Sequence, residues 1–401
     1  MAVIATEHGQ RDEYFSRVRD RALVPELTQL RRGRHKLLQL PAARVQQRLG
    51  LKERDGLART GTGERPTEGL WGRLRHRAET TTLSGVEIVA LAGGVGAGKF
   101  LRGVNRAFPG QPAMIVVNTG DDIVIHGLHV SPDVDSVCYW LADLMDRERG
   151  WGRSDETFHA MDAMRASGVI DAWFNLGDRD LATHILRTRL LGEGRTLSEA
   201  TASLLTELFA LEVDVRPMTD DPVTTRIDAV DERGEAIDLH FQEYWVKRHA
   251  ADHVKAIRFE GIERAQPAPG ILDAIARSDV LLICPSNPVV SIGPILALPG
   301  LRQAVAARRG PVVGVSPIVG GAPLSGMADK LMPAAGLEVS SIGAARAYAD
   351  LLSGWVIDER DRGLAGRIGE EIGVRVAVLD TVMRDDAVAA NVARACIELV
   401  S

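Results

Sequence analysis

Apolar and polar positions fall into repeating blocks from Val86 onward. The run Val86, Ile88, Val89, Ala90, Leu91, Ala92 stops abruptly at Gly93-Gly94-Val95-Gly96-Ala97-Gly98. A stretch with helical spacing follows, and a second apolar run (Met114, Ile115, Val116, Val117) ends in Asn118-Thr119-Gly120-Asp121-Asp122. Strand, glycine turn, helix, strand is the pattern of a βαβ unit opening a parallel sheet. The rhythm returns twice: residues 280–284 end in Pro285-Ser286-Asn287-Pro288, and residues 312–315 end in Ser316-Pro317-Ile318-Val319-Gly320-Gly321. Toward the C-terminus, helices are expected over 271–277, 341–352, 364–372 and 386–400, with strands over 355–357 and 374–379. The pattern predicts an α/β fold with a doubly wound, mostly parallel, Rossmann-like sheet. In such a sheet ligands bind outside the carboxyl ends of the strands, so all four polar loops are expected to converge on one crevice.

Two blocks interrupt the alternation. Residues 151–211 read as a helical insertion, with helices over 156–166 (ending at Gly168), 181–191 (ending at Gly192) and 197–210. The last opens on a capping box, Thr196 with Glu199. Residues 223–230 and 236–241, separated by a polar turn, read as a β-hairpin after a short strand at 213–216, with an amphipathic segment at 241–249 behind it. Ahead of the insertion, Ser131 is expected to cap a helix with Pro132 at its first position and Asp133 and Asp135 in its first turn, where the helix dipole favours negative charge. Residues 85–150 and 212–401 are thus expected to form the Rossmann-like core, whose strand-end loops suit a nucleotide.

Residues 1–84 differ in kind. Helical spacing is patchy over 10–52, and 53–84 are rich in Gly, Thr and charge, which predicts a partly disordered extension and linker. They carry 17 Lys/Arg against 10 Asp/Glu, so the chain's net −6 leaves −13 on the remainder. The favoured expectation is a variable basic arm outside the chemistry, with no nucleic-acid partner; because the patterned module begins so cleanly at Val86, start-site choice is one origin for it. At 401 residues the chain exceeds a single typical core. No apolar run approaches the roughly 18 residues that span a bilayer, and no secretory h-region is present, so a cytoplasmic protein without a membrane partner is expected. Cys138, Cys284 and Cys396 lie far apart, as reduced core residues do.

The glycine run matches neither common nucleotide fingerprint. Gly93 to Gly98-Lys99 has P-loop spacing, but Phe100 stands where the magnesium-binding hydroxyl belongs, and Lys99 occupies the third glycine position of a dinucleotide motif. Contact with phosphate or ribose remains the favoured reading, since glycine permits close backbone approach and a helix N-terminus presents free N–H groups. Asp121 and Asp122 are hard-oxygen donors suited to magnesium, which takes one or two carboxylates plus substrate phosphates. His126, His129, His159 and His184 have no metal spacing, and no nucleophile motif supplies covalent catalysis.

Taken together, AGGVGAGKFLRGV, NTGDDIVIHGLHVSPDVDSVCYWLA, DRERGWGRSDETFHAM, FNLGDRDLATHILRT, TDDPVTTRI, FQEYWVKR and CPSNPVVSIGPIL resemble the 2-phospho-L-lactate transferase family, whose actinobacterial members act as phosphoenolpyruvate transferases. The resemblance runs from about Val86 nearly to the C-terminus. It implies a magnesium-dependent step of coenzyme F-420 biosynthesis, in which a guanosine-diphospho donor transfers its phospho-organic acid to the ribityl hydroxyl of the deazaflavin Fo and GMP leaves. It also implies a homodimer. By position, Gly94, Gly96, Asn118, Ser286 and Asn287 would hold the guanosine phosphates, and Asp121 and Asp122 the magnesium. Asp135, Asn175, Gly177 and Asp178 would meet Fo, with Asp121 and Asp135 in the catalytic roles and Asp135 orienting the attacking hydroxyl. Lys99 and Arg102 are candidates for added positive charge. Asn175 stands where the family more often has a basic residue. The alternatives are a nucleotide-sugar-binding regulator of the same superfamily without transferase activity and, less well matched, an NAD-dependent oxidoreductase. No residue distinguishes lactate, enolpyruvate and glycerate donors.

Overall fold

The computed structural model describes residues 86–169 and 171–401. The expectations for residues 1–84 lie outside the described residues. From Val86 the chain forms β1 (Ile88–Ala92), α1 (Gly94–Ala107) and β2 (Met114–Val117), then a hairpin of β3 (Ile123–Ile125) and β4 (Leu128–Val130), and α2 (Pro132–Leu141). The insertion holds α3 (His159–Ser167), α4 (Asp178–Gly192) and α5 (Leu197–Ser203). The chain returns through β5 (Val215–Pro217) to an antiparallel unit of β6 (Thr224–Val230), β7 (Ala236–His240) and β8 (His253–Glu260). Then come α6 (Ile271–Arg277), β9 (Val280–Ile283), α7 (Ile292–Ala297), α8 (Leu301–Ala307) and β10 (Val312–Val315). A short ladder of β11 (Ile318–Val319) and β12 (Ala322–Pro323) precedes α9 (Ala328–Ala334), α10 (Ser341–Arg346), β13 (Gly354–Asp358), α11 (Ala365–Ile372), β14 (Arg375–Leu379) and α12 (Asp386–Glu398).

Seven strands make one sheet in the order β14-β13-β10-β9-β1-β2-β5, with every pairing parallel. The strands β1, β2, β9, β10 and β13 are buried at every position, which is why they read as continuous apolar runs rather than alternating ones. Side chains from the two faces enter separate cores. Val89, Leu91 and Ile283 enter one with the antiparallel unit, and Ile88, Ala90 and Leu282 the other with α1, α2 and α12. The chain steps outward from β1 to β2 and β5, then returns to lay β9 on the other flank of β1. The β1–β9 border is therefore the topological switch point, with the glycine run and the Pro285–Pro288 turn at its carboxyl ends.

The structure departs from the sequence reading, or adds to it, in six places. The glycine run is no loop: α1 begins at Gly94, so Gly96 and Gly98 lie inside the helix. The predicted hairpin has a third strand, β8, which pairs with β6. Residues 123–130 form the hairpin β3–β4, with His126 and Gly127 at positive φ in its turn. Ser131 sits at the start of α2 but makes no capping bond, because its hydroxyl donates to Asp122 at 2.6 Å. The 197–210 helix keeps its capping box but widens after Ser203, and the 341–352 helix ends at Arg346.

Candidate active site at the carboxyl ends of the central strands

Asn118, the first residue after β2, organises the site. Fully buried, its side-chain amide donates to Asp121 Oδ1 at 3.0 Å, to Asp133 Oδ2 at 2.9 Å and to the Val290 carbonyl at 3.2 Å. Its own oxygen accepts the Gly120 N–H at 2.8 Å, which shapes the turn. One amide thus ties β2, the start of α2 and the segment after β9 together. Gln242, just beyond β7, donates to Asp121 Oδ2 at 2.9 Å, and His240 Nε2 lies 3.1 Å from the Asp122 carbonyl. Asp122 Oδ2 meets Ser131 Oγ and, at 3.0 Å, His129 Nε2.

Three buried carboxylates therefore stand close together. Burial, then the charges of Asp133 and Asp122, lifts Asp121 well above the ordinary carboxylate range. Burial lifts Asp122 despite the His129 and Ser131 contacts, and lifts Asp133 to about 7. Asp122 Oδ1 is buried with no hydrogen-bond partner among the described residues. A set of hard, mutually repelling oxygen donors with one left unpaired fits a divalent cation. Among the described residues no group of three or more His, Cys, Asp or Glu side chains is arranged to hold a metal ion by itself.

The glycines serve the protein's own packing. A Cβ at Gly96 would fall 2.4 Å from the Pro285 carbonyl oxygen, and one at Gly98 2.5 Å from the Trp140 ring. At Gly93 it would meet Ser291 Cβ at 2.5 Å and Asp133 Oδ2 at 2.6 Å. The Asp133 carboxylate therefore stands beside the start of α1, next to the glycines expected to meet substrate phosphate. Ser286 is also engaged: its hydroxyl donates to the Gly93 carbonyl at 2.8 Å and accepts the Gly93 N–H at 3.2 Å, stitching β1 to β9. Asn287 Oδ1 turns back onto the Val289 and Val290 N–H groups. Lys99 lies over the Trp140 ring at 5.4 Å, and Arg102 pairs with Asp143 and Asp386.

The insertion places the remaining expected residues. Asp135 is buried in a two-pronged ion pair with Arg187 of α4, Nη1 donating to Oδ2 at 3.0 Å and Nη2 to Oδ1, so it does not stand free. Asp178 binds the start of α3, accepting from Thr157 Oγ1 and the N–H groups of His159 and Ala160, and these bonds hold it below its ordinary value. Gly177 leaves room for Glu156, whose carboxylate accepts the N–H groups of Arg179 and Asp180 at the start of α4. Asn175 Oδ1 accepts from Arg165 at 2.6 Å, so a guanidinium reaches this place from α3. Leu176 packs with Val130 and Met161, attaching the turn to the β3–β4 hairpin.

Of the expected residues the structure brings together Gly94, Asn118, Asp121, Asp122 and Ser286, and it adds Gly93, Asp133, Gln242, His129 and Ser291. Asp133 carries a sequence signal, its nearness to NTGDD in a Pro-led helix; Gln242 carries none, since only the β6–β7 hairpin delivers it.

The family model described as 2-phospho-L-lactate transferase CofD matches residues 88–389. A phosphoenolpyruvate transferase of Streptomyces griseus is 48% identical over 315 residues, covering 78% of this chain and 98% of the relative. A 2-phospho-L-lactate transferase of Methanosarcina mazei is 39% identical over 296 residues, covering 74% of this chain and 94% of the relative. A UPF0052-family protein from Bacillus halodurans shares the fold, with a TM-score of 0.53, 13% identity and coverage of 78% and 98%. No helix among the described residues is long and apolar enough to cross a membrane. The chain belongs to the CofD family of phosphoenolpyruvate and 2-phospho-L-lactate transferases.

Proposed function

We propose that this protein transfers a phospho-organic acid from a guanosine-diphospho donor to the terminal ribityl hydroxyl of Fo, with release of GMP, in coenzyme F-420 biosynthesis. The observation that carries the reading is the 48% identity to a phosphoenolpyruvate transferase across 98% of that relative. The lactate-named relative stands at 39%, so enolpyruvyl is the donor acid ranked first. In the step, the ribityl oxygen forms a bond to the phosphorus bearing the organic acid while the bridging P–O bond breaks. GMP takes the electron pair, and the hydroxyl proton leaves to solvent.

Such a displacement needs positioning and charge neutralisation rather than a covalent residue. Magnesium, when bound, would neutralise the diphosphate and the departing phosphate. Asp121 and Asp122 would hold it, with Asp133 beside them, and Asn118 and Gln242 would fix Asp121. The donor would lie at the β1–β9 border near Gly94, Gly96, Ser286 and Asn287, and Fo near Asn175, Gly177 and Asp178. Asp135, held in place by Arg187 through both oxygens, would orient the attacking hydroxyl. A cytoplasmic homodimer belongs to the same reading, its dimer checked by light scattering. Incubation with Fo, magnesium and each guanosine-diphospho donor, followed by mass spectrometry, tests the reaction. Phosphoenolpyruvyl-Fo and GMP are the expected products; no transfer from any donor overturns the reading.

A further inference from the structure

The helix α4 is amphipathic in the reverse sense. Asp180, Thr183, His184 and Arg187 are buried, whereas Ile185 and Leu186 are 51% and 38% exposed. Their spacing puts the four polar side chains on one stripe facing α2 and β4. Tyr139 of α2 donates to Asp180 Oδ1 at 2.5 Å, His184 lies between Asp180 and Asp135, and Arg187 pairs with Asp135. Hydrocarbon would fasten this helix without the desolvation penalty of buried ions, so the stripe calls for another reason.

That reason lies at β4. Thr188 Oγ1 accepts the His129 N–H at 2.8 Å, and Arg187 Nη1 donates to the His129 carbonyl at 3.4 Å. The backbone of His129 is thereby held from both sides by consecutive residues of α4, while its imidazole reaches Asp122 Oδ2 at 3.0 Å. We infer that Arg187 and Thr188 are positioning residues for the transfer. They hold His129 so that its ring fixes Asp122, and through that contact the insertion sets the geometry of the cation-binding carboxylates. The inference rests on the reading of Asp121 and Asp122 as the magnesium carboxylates.

The test uses the full chain and Mn2+ as probe, with free Mn2+ read by electron paramagnetic resonance. Wild type is compared with Thr188→Val, Arg187→Lys, His129→Gln and the Arg187→Lys/His129→Gln double variant. Removing an outer-shell partner weakens metal affinity by roughly 10- to 100-fold. His129→Gln is expected near the low end of that range. Arg187→Lys and Thr188→Val are expected to lose several-fold affinity, and the double variant to bind no more weakly than His129→Gln alone. In the transfer assay Thr188→Val and His129→Gln should lower kcat and leave KM for Fo nearly unchanged. Thr188→Val leaves the buried ion pair intact, so if Arg187→Lys does not fold, Thr188→Val combined with His129→Gln completes the cycle. Wild-type affinity in Thr188→Val, or losses at 187 and 129 that multiply, overturns the inference. A wild-type chain that takes up no Mn2+ either alone or with GDP present to supply the phosphate donors overturns the magnesium reading itself.

Discussion

Around the β1–β9 border the chain is held together by missing side chains, whereas from β2 to α4 it is held by added charge. At the border, Gly96 and Gly98 let α1 settle against the Pro285 carbonyl and the Trp140 ring, and a single serine hydroxyl stitches the two strands. On the other flank, Asn118, Gln242, His129 and Arg187 each answer a buried carboxylate. The first region is expected to be sensitive to added volume. In the second, an isosteric change that alters charge has the greater effect. On the proposed reading, the difference separates the flank that would shape the donor cleft from the flank that would hold the metal.

The largest expected effect comes from Asp121→Asn. Transfer should fall by roughly a thousandfold, on the scale of losing one preorganised transition-state group. Without divalent ions the variant should melt no lower than wild type, because the change removes a buried carboxylate repelled by its neighbours. Retained turnover would move the metal elsewhere.

Gly96→Ala is the counterpart on the other flank. Its Cβ would press on the Pro285 backbone, and overpacking of this kind destabilises by about 1–3 kcal/mol. Denaturant unfolding should register that loss while Mn2+ affinity stays at the wild-type level. A joint loss of both would erase the division between the two regions.

The pH dependence sharpens it further. Asp133 rises from 3.8 to about 7 on folding, through burial and the nearby Asp122 charge. Between those values the native state binds more protons than the unfolded state. Stability in EDTA should therefore fall as pH rises from about 4 to about 7, with the full penalty standing above 7. Asp133→Asn should flatten this contribution, and magnesium should reduce it in wild type; denaturant titrations at pH 5 and 8 make the comparison. The smallest effect is expected for Tyr139→Phe, which removes the donor to Asp180 and should lower stability by about 1–2 kcal/mol without altering Mn2+ affinity.

Much of this architecture can be read from the chain because β1, β2, β9 and β10 are buried on both faces and end in polar turns. The ranges 271–277 and 312–315 match α6 and β10 residue for residue. β8 escapes because Asp228 faces Ala256 while Ala229 faces Val254, leaving Lys255 as an extra residue that breaks the two-residue alternation. The β3–β4 hairpin escapes because its tight turn is His126-Gly127 instead of the Asn-Gly that marks such turns. Asp121 and Asp122 are legible from their place after a buried strand. Arg187 is not, because apolar spacing carries no signal for a helix face buried through polar side chains, while Ile185 and Leu186 lie exposed. The polar stripe Asp180, Thr183, His184, Arg187 was the available signal.

That inverted helix also sets how the insertion responds to temperature. Exposing apolar surface raises heat capacity and exposing polar surface lowers it. Undocking the Tyr139–Asp180–His184–Arg187–Asp135 contact would therefore carry a smaller heat-capacity increment than opening an apolar seam of equal area. The desolvation penalty of ions also falls on warming, whereas hydrophobic stabilisation weakens on cooling. The joint between insertion and sheet is built to keep its grip when warm, and it takes little of the cold sensitivity of the cores on either side of the sheet.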